Sequence, residues 1–349
     1  MYQNFNIWNR LRTCVVGRSW PPEFYSWIAD KNVRSVMEKI AVETEEDYQQ
    51  LIQCLNSLGV TTLRPDAVFD LSAHNSLEKL PKPPMCPRDN MIMLGNVFLE
   101  TASQIGVGNE PVLFQDNAPT QTHNESSGLY QDIFAHVRAQ GNTIESHCEG
   151  SLCAAMIYQI DNRIFFSTFP KTNKDHVRSV LNRIRPEVTT IPFHQFGHID
   201  GWFAPVCPNL MISSQDSVRS NLLDLFYKTF FPNTEIVYAN PSFGSDYSFI
   251  QWQKINNGRW WIPGEENNRE LTTFINRYFD HWLGQVDETA FEVNMIIVDS
   301  KNVIVSNYNE NIFKKFKEHY ITPHLCNFRH EKFWDAGLSC ITCELDRTI

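Results

Sequence analysis

Asn294-Met295-Ile296-Ile297-Val298-Asp299-Ser300-Lys301-Asn302-Val303-Ile304-Val305 is two apolar runs folded about a polar turn. Its β-branched residues and central turn residues predict a β-hairpin. A helical pattern from Ile312 to His319 follows it, and then an extended run that begins at Cys340. The same pieces recur upstream. Met91 to Leu94 and Val97 to Leu99 flank Gly95-Asn96, a strong two-residue hairpin signal. Ala154 to Ile160, Asp161-Asn162-Arg163 and Ile164 to Phe166 predict another hairpin. Asp175 opens a helix through Ile184, and Val188 to Ile191 reads as a strand. Leu210 to Ile212 and residues 221–231 repeat the strand-then-helix theme. At the N-terminal end, Leu11 to Val16 reads as a strand, Thr44-Glu45-Glu46-Asp47 as a helix start with Thr44 as N-cap, and Val60 to Leu63 as a strand after Gly59.

Hairpins alternating with single helices fit neither a doubly wound parallel sheet nor a (β/α) barrel. They fit copies of a ββαβ module around a centre, each hairpin delivering residues inward. The expected organisation is one α/β unit over residues 1–349 with an insertion or lid at about 232–270, where Asn, Gly, Ser and Trp are frequent. Residues 66–88 and 103–130 read as loop or irregular chain.

Composition narrows the function. A net charge of −10 argues against a nucleic-acid-binding surface. No apolar run is long enough to span a membrane, and Met1 to Asn6 lacks the pattern of a signal peptide. Nine cysteines at irregular spacing then read as reduced thiols in a cytoplasmic protein.

Polar clusters stand beside apolar strands at Pro87-Arg88-Asp89, at Gly197-His198-Ile199-Asp200-Gly201, and at Ser339-Cys340. In extended backbone the i,i+2 pair His198 and Asp200 shares one face. A thiolate attacks electrophilic carbon, a histidine moves the leaving group's proton, and two carboxylates grip a planar multi-donor cation. Cys340, His198, Asp89 and Asp200 therefore form a coherent set for attack on a guanidino carbon. The bland readings stay open: a turn with a structural histidine, and a cysteine that is a small buried hydrophobe. Cys340-x-x-Cys343 also admits a redox pair, although the extended run after Cys340 points the two thiols to opposite faces. An all-thiolate zinc site from Cys148, Cys153, Cys340 and Cys343 is a further alternative. Cys14, Cys54 and Cys207 lie in apolar contexts and read as core; Trp252, Trp260, Trp261 and Trp282 read as core or lid packing, with stacking on substrate as the alternative.

In sequence the chain resembles the glycine amidinotransferase branch of the guanidino-group-modifying superfamily, which includes arginine deiminases. Leu11 to Arg18 is similar to the family's opening strand, and Glu45 to Pro65 to its first helix and next strand. Met85-Cys86-Pro87-Arg88-Asp89 followed by Gly95-Asn96 resembles its M-P-R-D … G-N motif. Asp161 to Asn173 is similar to a hairpin ending in T-N, Gly197 to Phe203 to H-I-D-A-T-F, Asn294 to Asp299 to M-N-V-L-M-L-D, and Leu338 to Glu344 to F-H-C-W-T-C-D. The resemblance implies a five-bladed α/β propeller (pentein) with pseudo-fivefold symmetry and its site at the centre. It implies Cys340 as nucleophile, His198 as general acid/base, and Asp89 and Asp200 as guanidinium carboxylates, with no metal and no organic cofactor. The implied partners are a small guanidino donor and an amine acceptor, with no nucleic acid or membrane; a homodimer is an assembly open to it.

Departures from the family pattern qualify the expectation. The acid that partners the family's histidine falls at Cys153, with Glu149 as a nearby substitute. Loss of a comparable orienting carboxylate can cost about four orders of magnitude in rate. The family's carboxylate-binding arginine falls at Ser217, with Arg219 nearby, and its serine pair falls near Asp287-Glu288. That corner favours a donor or acceptor with a cationic or neutral tail, such as agmatine, over an amino-acid tail. Amidino transfer, guanidine hydrolysis, and guanidino-compound binding without turnover are the competing functions.

Overall fold

The three hairpins read from the sequence form, and each acquires a third strand. The computed structural model describes residues 1–66, 77–101, 128–147, 152–167, 174–193, 198–214, 220–239, 256, 259–283 and 291–348. Four successive modules each comprise an antiparallel hairpin, a helix and a strand parallel to the hairpin's second strand. The first is β3 (Met91–Leu94), β4 (Val97–Thr101), the helix Gln131–Ala139 and β5 (Thr143–His147). The second is β6 (Ile157–Ile160), β7 (Arg163–Ser167), the helix Lys174–Ile184 and β8 (Thr189–Phe193). The third is β9 (Phe203–Cys207), β10 (Leu210–Ser214), the helix Ser220–Phe230 and β11 (Glu235–Ala239). The fourth is β12 (Ile296–Asp299), β13 (Asn302–Val305), the helix Glu310–Glu318 and β14 (Thr322–Leu325).

The remaining blade joins distant parts of the chain. β1 (Leu11–Val16) runs parallel to β2 (Thr61–Leu63), with the helix Lys31–Ser57 between them, and its inner partner is β15 (Thr342–Arg347), paired antiparallel. The result is five three-stranded sheets, a five-bladed α/β propeller. The blades grade from inside to outside. β3, β6 and β9 are buried along their whole length, whereas β2, β5 and β14 are half-buried or exposed. This is why the first strand of each hairpin reads as an uninterrupted apolar run: both of its faces meet protein.

Local chemistry fixes the elements. Gly95 turns the first hairpin with φ of +60°, a conformation that costs a residue with a side chain. In the helix Lys31–Ser57, Val33, Met37, Ile40, Ala41, Thr44, Tyr48, Leu51 and Leu55 form the buried stripe, at spacings of three and four. Its N-cap is Asp30, whose side chain accepts from the backbone N–H groups of Asn32 and Val33. The Thr44 start is therefore corrected. Thr44 lies mid-helix, fully buried, and its hydroxyl accepts from Trp334 Nε1 at 3.0 Å, while Asp47 accepts from Arg329. The Thr-x-x-Asp pattern answers to these tertiary partners and not to a helix end.

Two further readings change. The strand read at Leu210 to Ile212 is the second arm of a hairpin, β9–β10, turned at Pro208-Asn209. The lid at 232–270 contains β11, and Trp260, Trp261 and Ile262 are buried in the core that also holds Trp282 and Trp334. Residues 240–255 and 257–258 of that stretch, with Trp252, lie outside the described residues, as does nearly all of 103–130. Cys14 and Cys207 are buried and Cys54 is half-buried.

Candidate active site

The five blades present polar groups at equivalent places, just before each inner strand. Asp89 lies in the short helix Pro87–Asn90 ahead of β3. Cys153 precedes the 3-10 turn Ala154–Met156 ahead of β6. His198 and Asp200 begin and occupy the 3-10 turn Ile199–Gly201 ahead of β9. Asn294 stands two residues before β12, and Cys340 two residues before β15. His198 and Asp200 thus reach the site from a tight turn, correcting the extended i,i+2 geometry expected for them.

Cys340 is buried and held by Asn294. Asn294 Nδ2 donates to Cys340 Sγ at 3.1 Å, while its Oδ1 accepts from the backbone N–H of Ser339 at 2.8 Å and of Cys340 at 3.1 Å. A Cβ on Gly337 would lie 2.5 Å from Asn294 Oδ1, so glycine is what lets this amide close over the turn. Cys340 Sγ points to Asp200 Oδ2 at 3.8 Å, and Ser339 Oγ donates to the same oxygen at 3.0 Å. Asn294 is the member that sequence reasoning missed as a site residue. Its only local signal was membership of an apolar strand motif, because its partners lie 45 and 46 residues away.

His198 connects both thiols with a carboxylate. Its Nε2 is 3.7 Å from Cys153 Sγ, its Nδ1 is 3.9 Å from Asp89 Oδ1, and Cys340 contributes to its electrostatic surroundings. The His198 side chain is 32% exposed, so it faces the open side of the cluster. Thr101 pins two of the loops together: its hydroxyl donates to the Asp89 carbonyl at 3.1 Å and accepts from the Ala154 N–H at 3.0 Å. Cys153 Sγ donates to the same Asp89 carbonyl at 3.4 Å. Arg88 turns away from Asp89; it is buried, donates to the Ile157 carbonyl and lies over the Tyr158 ring.

Burial and the neighbouring Asp200 carboxylate push the Cys340 thiol up to about 12, against the pull of His198. Burial alone drives His198 toward its neutral form, but its contacts with Cys153 and Cys340 and the Asp89 charge outweigh burial and raise it well above 6.5. Burial raises Asp200, with Arg88 and His198 opposing. At neutral pH Cys340 accordingly rests as a thiol, beside an imidazole whose surroundings favour its charged form.

Two oxygens give the site its chemical direction. Asp89 Oδ1 and Asp200 Oδ1 are buried and have no hydrogen-bond partner among the described residues. A buried carboxylate oxygen without a donor is costly. A planar cation with several N–H donors satisfies two such oxygens at once.

Cys343 does not share this site. Its thiol donates to the Met91 carbonyl at 3.4 Å, and the eight described cysteines are free thiols. The all-thiolate zinc set is not assembled among the described residues; the metal-compatible group there is Asp89, Cys153 and His198. Cys148, Glu149, Ser217, Arg219, Asp287 and Glu288 lie outside the described residues. Among the described residues no helix is long and apolar enough to cross a membrane.

No protein-family model matches the chain, and no curated protein matches it in sequence. Solved structures do match in fold. SxtG, an amidinotransferase of the saxitoxin biosynthetic pathway from Microseira wollei, matches at a TM-score of 0.65 and 15% identity, over 100% of this chain and 98% of that one. The inosamine-phosphate amidinotransferase StrB1 from Streptomyces griseus matches at 0.65 and 15%, over 100% and 97%. The DDAH of Pseudomonas aeruginosa, in complex with citrulline, matches at 0.56 and 11%, over 96% and 99%. At these identities the likeness is one of fold, shared with these amidinotransferases and the DDAH.

Proposed function

We propose that this chain, on the fold it has in common with amidinotransferases and guanidino hydrolases, moves the amidino group of a guanidino donor through a covalent adduct on Cys340. The observation that carries the reading is the pair of buried oxygens without donors, Asp89 Oδ1 and Asp200 Oδ1, close to the Cys340 thiol. A guanidinium seated there gives each carboxylate its missing donors. Its positive charge also offsets the Asp200 charge that keeps Cys340 protonated. The thiol then gives its proton to solvent, and the thiolate attacks the guanidino carbon. His198, already protonated, hands its proton to the departing amine as the C–N bond breaks. The neutral imidazole next takes a proton from the incoming nucleophile, which resolves the amidino-thioester. An amine in that role makes the protein a transferase with an arginine-like or agmatine-like donor; water makes it a hydrolase.

The amidinotransferase reading is favoured by the higher TM-scores to SxtG and StrB1, 0.65 against 0.56 for DDAH. A third reading, binding without turnover, is motivated by Cys153, which stands beside His198 where the resemblance leads one to expect a carboxylate. Intact-protein and peptide mass spectrometry after incubation with arginine or agmatine tests the proposal. The expected result is one amidino group on Cys340, absent in Cys340→Ser. Release that depends on an added amine marks transfer, and release without one marks hydrolysis. No adduct with any guanidino compound refutes turnover and leaves binding.

A further inference from the structure

Asp89, Cys153 and His198 each offer one ligand atom, and these atoms all lie within 4.8 Å of one another. The three come from the loops of three different blades, with 64 residues from Asp89 to Cys153 and 45 from Cys153 to His198, and the fold brings them together. Cys153 Sγ and His198 Nε2 are 3.7 Å apart. In a tetrahedral zinc site, bond lengths of about 2.3 Å to sulfur and about 2.0 Å to nitrogen make the S···N edge about 3.5 Å. The observed pair therefore already has nearly the separation that a shared zinc ion requires.

Asp89 supplies the third ligand and an independent sign that the group is incomplete. Its residue is 8% exposed, and its Oδ1 has no hydrogen-bond partner among the described residues while facing the His198 ring at 3.9 Å. The backbone on either side is fixed: the Asp89 carbonyl accepts from Thr101 and Cys153, and the Ala154 N–H donates to Thr101. A cation thus meets three ligand atoms on a fixed backbone, and the His198 ring and the Asp89 carboxylate turn so that one ring nitrogen and Oδ1 close on it from within 4.8 Å. Thiolate, imidazole and carboxylate form a borderline-soft set that suits Zn²⁺ and Co²⁺ and disfavours Mg²⁺ and Ca²⁺.

We propose that Asp89, Cys153 and His198 form a zinc-binding site, with the fourth tetrahedral position open on the exposed side of His198. On binding, Cys153 and His198 each release a proton to solvent, so that a thiolate and a neutral imidazole coordinate the metal. Cys340 is not part of the set: Asn294 Nδ2 holds its sulfur, which is directed at Asp200. Because the metal uses Asp89 Oδ1 and a ring nitrogen of His198, it excludes a guanidinium cation from the same carboxylate. Zinc then acts as a reversible block on the mouth of the site, a property that follows from the cysteine at position 153. The metal site stands whether or not Cys340 forms an amidino adduct.

The test uses the full-length chain in metal-free buffer, with Co²⁺ as spectroscopic probe and Zn²⁺ measured by competition against a chromophoric chelator. The expected result is one equivalent of Co²⁺ with a thiolate-to-cobalt charge-transfer band, displaced by one equivalent of Zn²⁺. Cys153→Ser is expected to lose the band and weaken zinc binding by about 100-fold or more, while Cys340→Ser keeps both. If Cys153→Ser does not fold, Asp89→Asn reads the same site: the band persists and zinc binding weakens by at least about tenfold. Failure to bind a stoichiometric ion overturns the proposal. So does a band that survives in Cys153→Ser and vanishes in Cys340→Ser, which would place the metal on the other thiol. Absence of an amidino adduct on the metal-free protein bears on the proposed function alone and leaves the cobalt result untouched.

Discussion

Gly337→Ala places one methyl group where the turn around Cys340 has no room for it. The added Cβ would lie 2.5 Å from Asn294 Oδ1 and 2.6 Å from both Asn294 Cβ and Cγ. An ordinary carbon–carbon contact is about 3.5–4.0 Å, so one partner must move by about 1 Å. The Asn294 side chain is short and is tied by hydrogen bonds to the N–H groups of Ser339 and Cys340 and to the Cys340 sulfur, so it cannot simply swing aside. Displacing it leaves the Cys340 N–H buried without its acceptor, at about 1–3 kcal/mol, and overpacking costs about 1–3 kcal/mol more. The expected loss is about 2–6 kcal/mol in urea unfolding. A 1 Å misplacement of a reacting group can cost about 100-fold in rate, so adduct formation on Cys340 should fall by about that factor in variant protein that remains folded. Gly128→Ala is the control, since a Cβ there meets nothing within 4 Å. Gly337→Ala with wild-type stability and wild-type adduct rate would refute the argument that Asn294 positions the thiol through this contact.

Three other outcomes follow from the same geometry. Because burial and the Asp200 charge raise the Cys340 thiol, Asp200→Asn should lower it and speed alkylation of Cys340 by iodoacetamide at pH 8, while slowing adduct formation with a guanidino donor; slower alkylation would contradict the assigned electrostatics. Glu331, raised by burial and by Glu292 from 4.5 to about 7, favours the folded state in acid, and this contribution disappears as pH rises from about 4.5 through about 7. Glu331→Gln, which keeps an acceptor for Asn307, should match the parent chain in unfolding at pH 4 and exceed it by about 3 kcal/mol at pH 8; equal slopes in the two proteins would remove Glu331 as the cause. Arg347 is fully buried and donates to the carbonyls of Asn9 at 2.5 Å and Ile297 at 2.7 Å. Arg347→Ala should cost about 3–5 kcal/mol, and a thermal midpoint unchanged from wild type would show that these contacts contribute little.

What the sequence made legible follows the range of each interaction. The hairpins at 91–101 and 296–305 are local, with turns of two residues, so their apolar runs and Gly95 announce them. The parallel third strands and the β15–β1 pairing depend on distant partners, and no local pattern carries that information. Thr44 and Asp47 imitated a helix start because residues that cap helices also bind buried donors from elsewhere, here Trp334 and Arg329. The sequence offered Cys340, His198, Asp89 and Asp200 as chemically compatible types, with the resemblance implying a role for each, and the fold brings them to neighbouring turns. Asn294 was not legible, since an amide that positions a thiol has no chemistry of its own to reveal it.

The pairing of β15 with β1 has a consequence for how the molecule comes into being. Asp89, Cys153, His198 and Asp200 belong to blades that are translated and can pair before β15 exists, whereas Cys340 arrives on the turn that leads into the strand that shuts the ring. During synthesis the thiol is therefore the last component to be delivered, and its supports, Asn294 and Asp200, are already in place to receive it. A chain stopped before Cys340 carries the acids and the imidazole of the site without this thiol. The closing strand thus works as a completion step: delivery of the Cys340 thiol and the sealing of the first blade come within a few residues of each other.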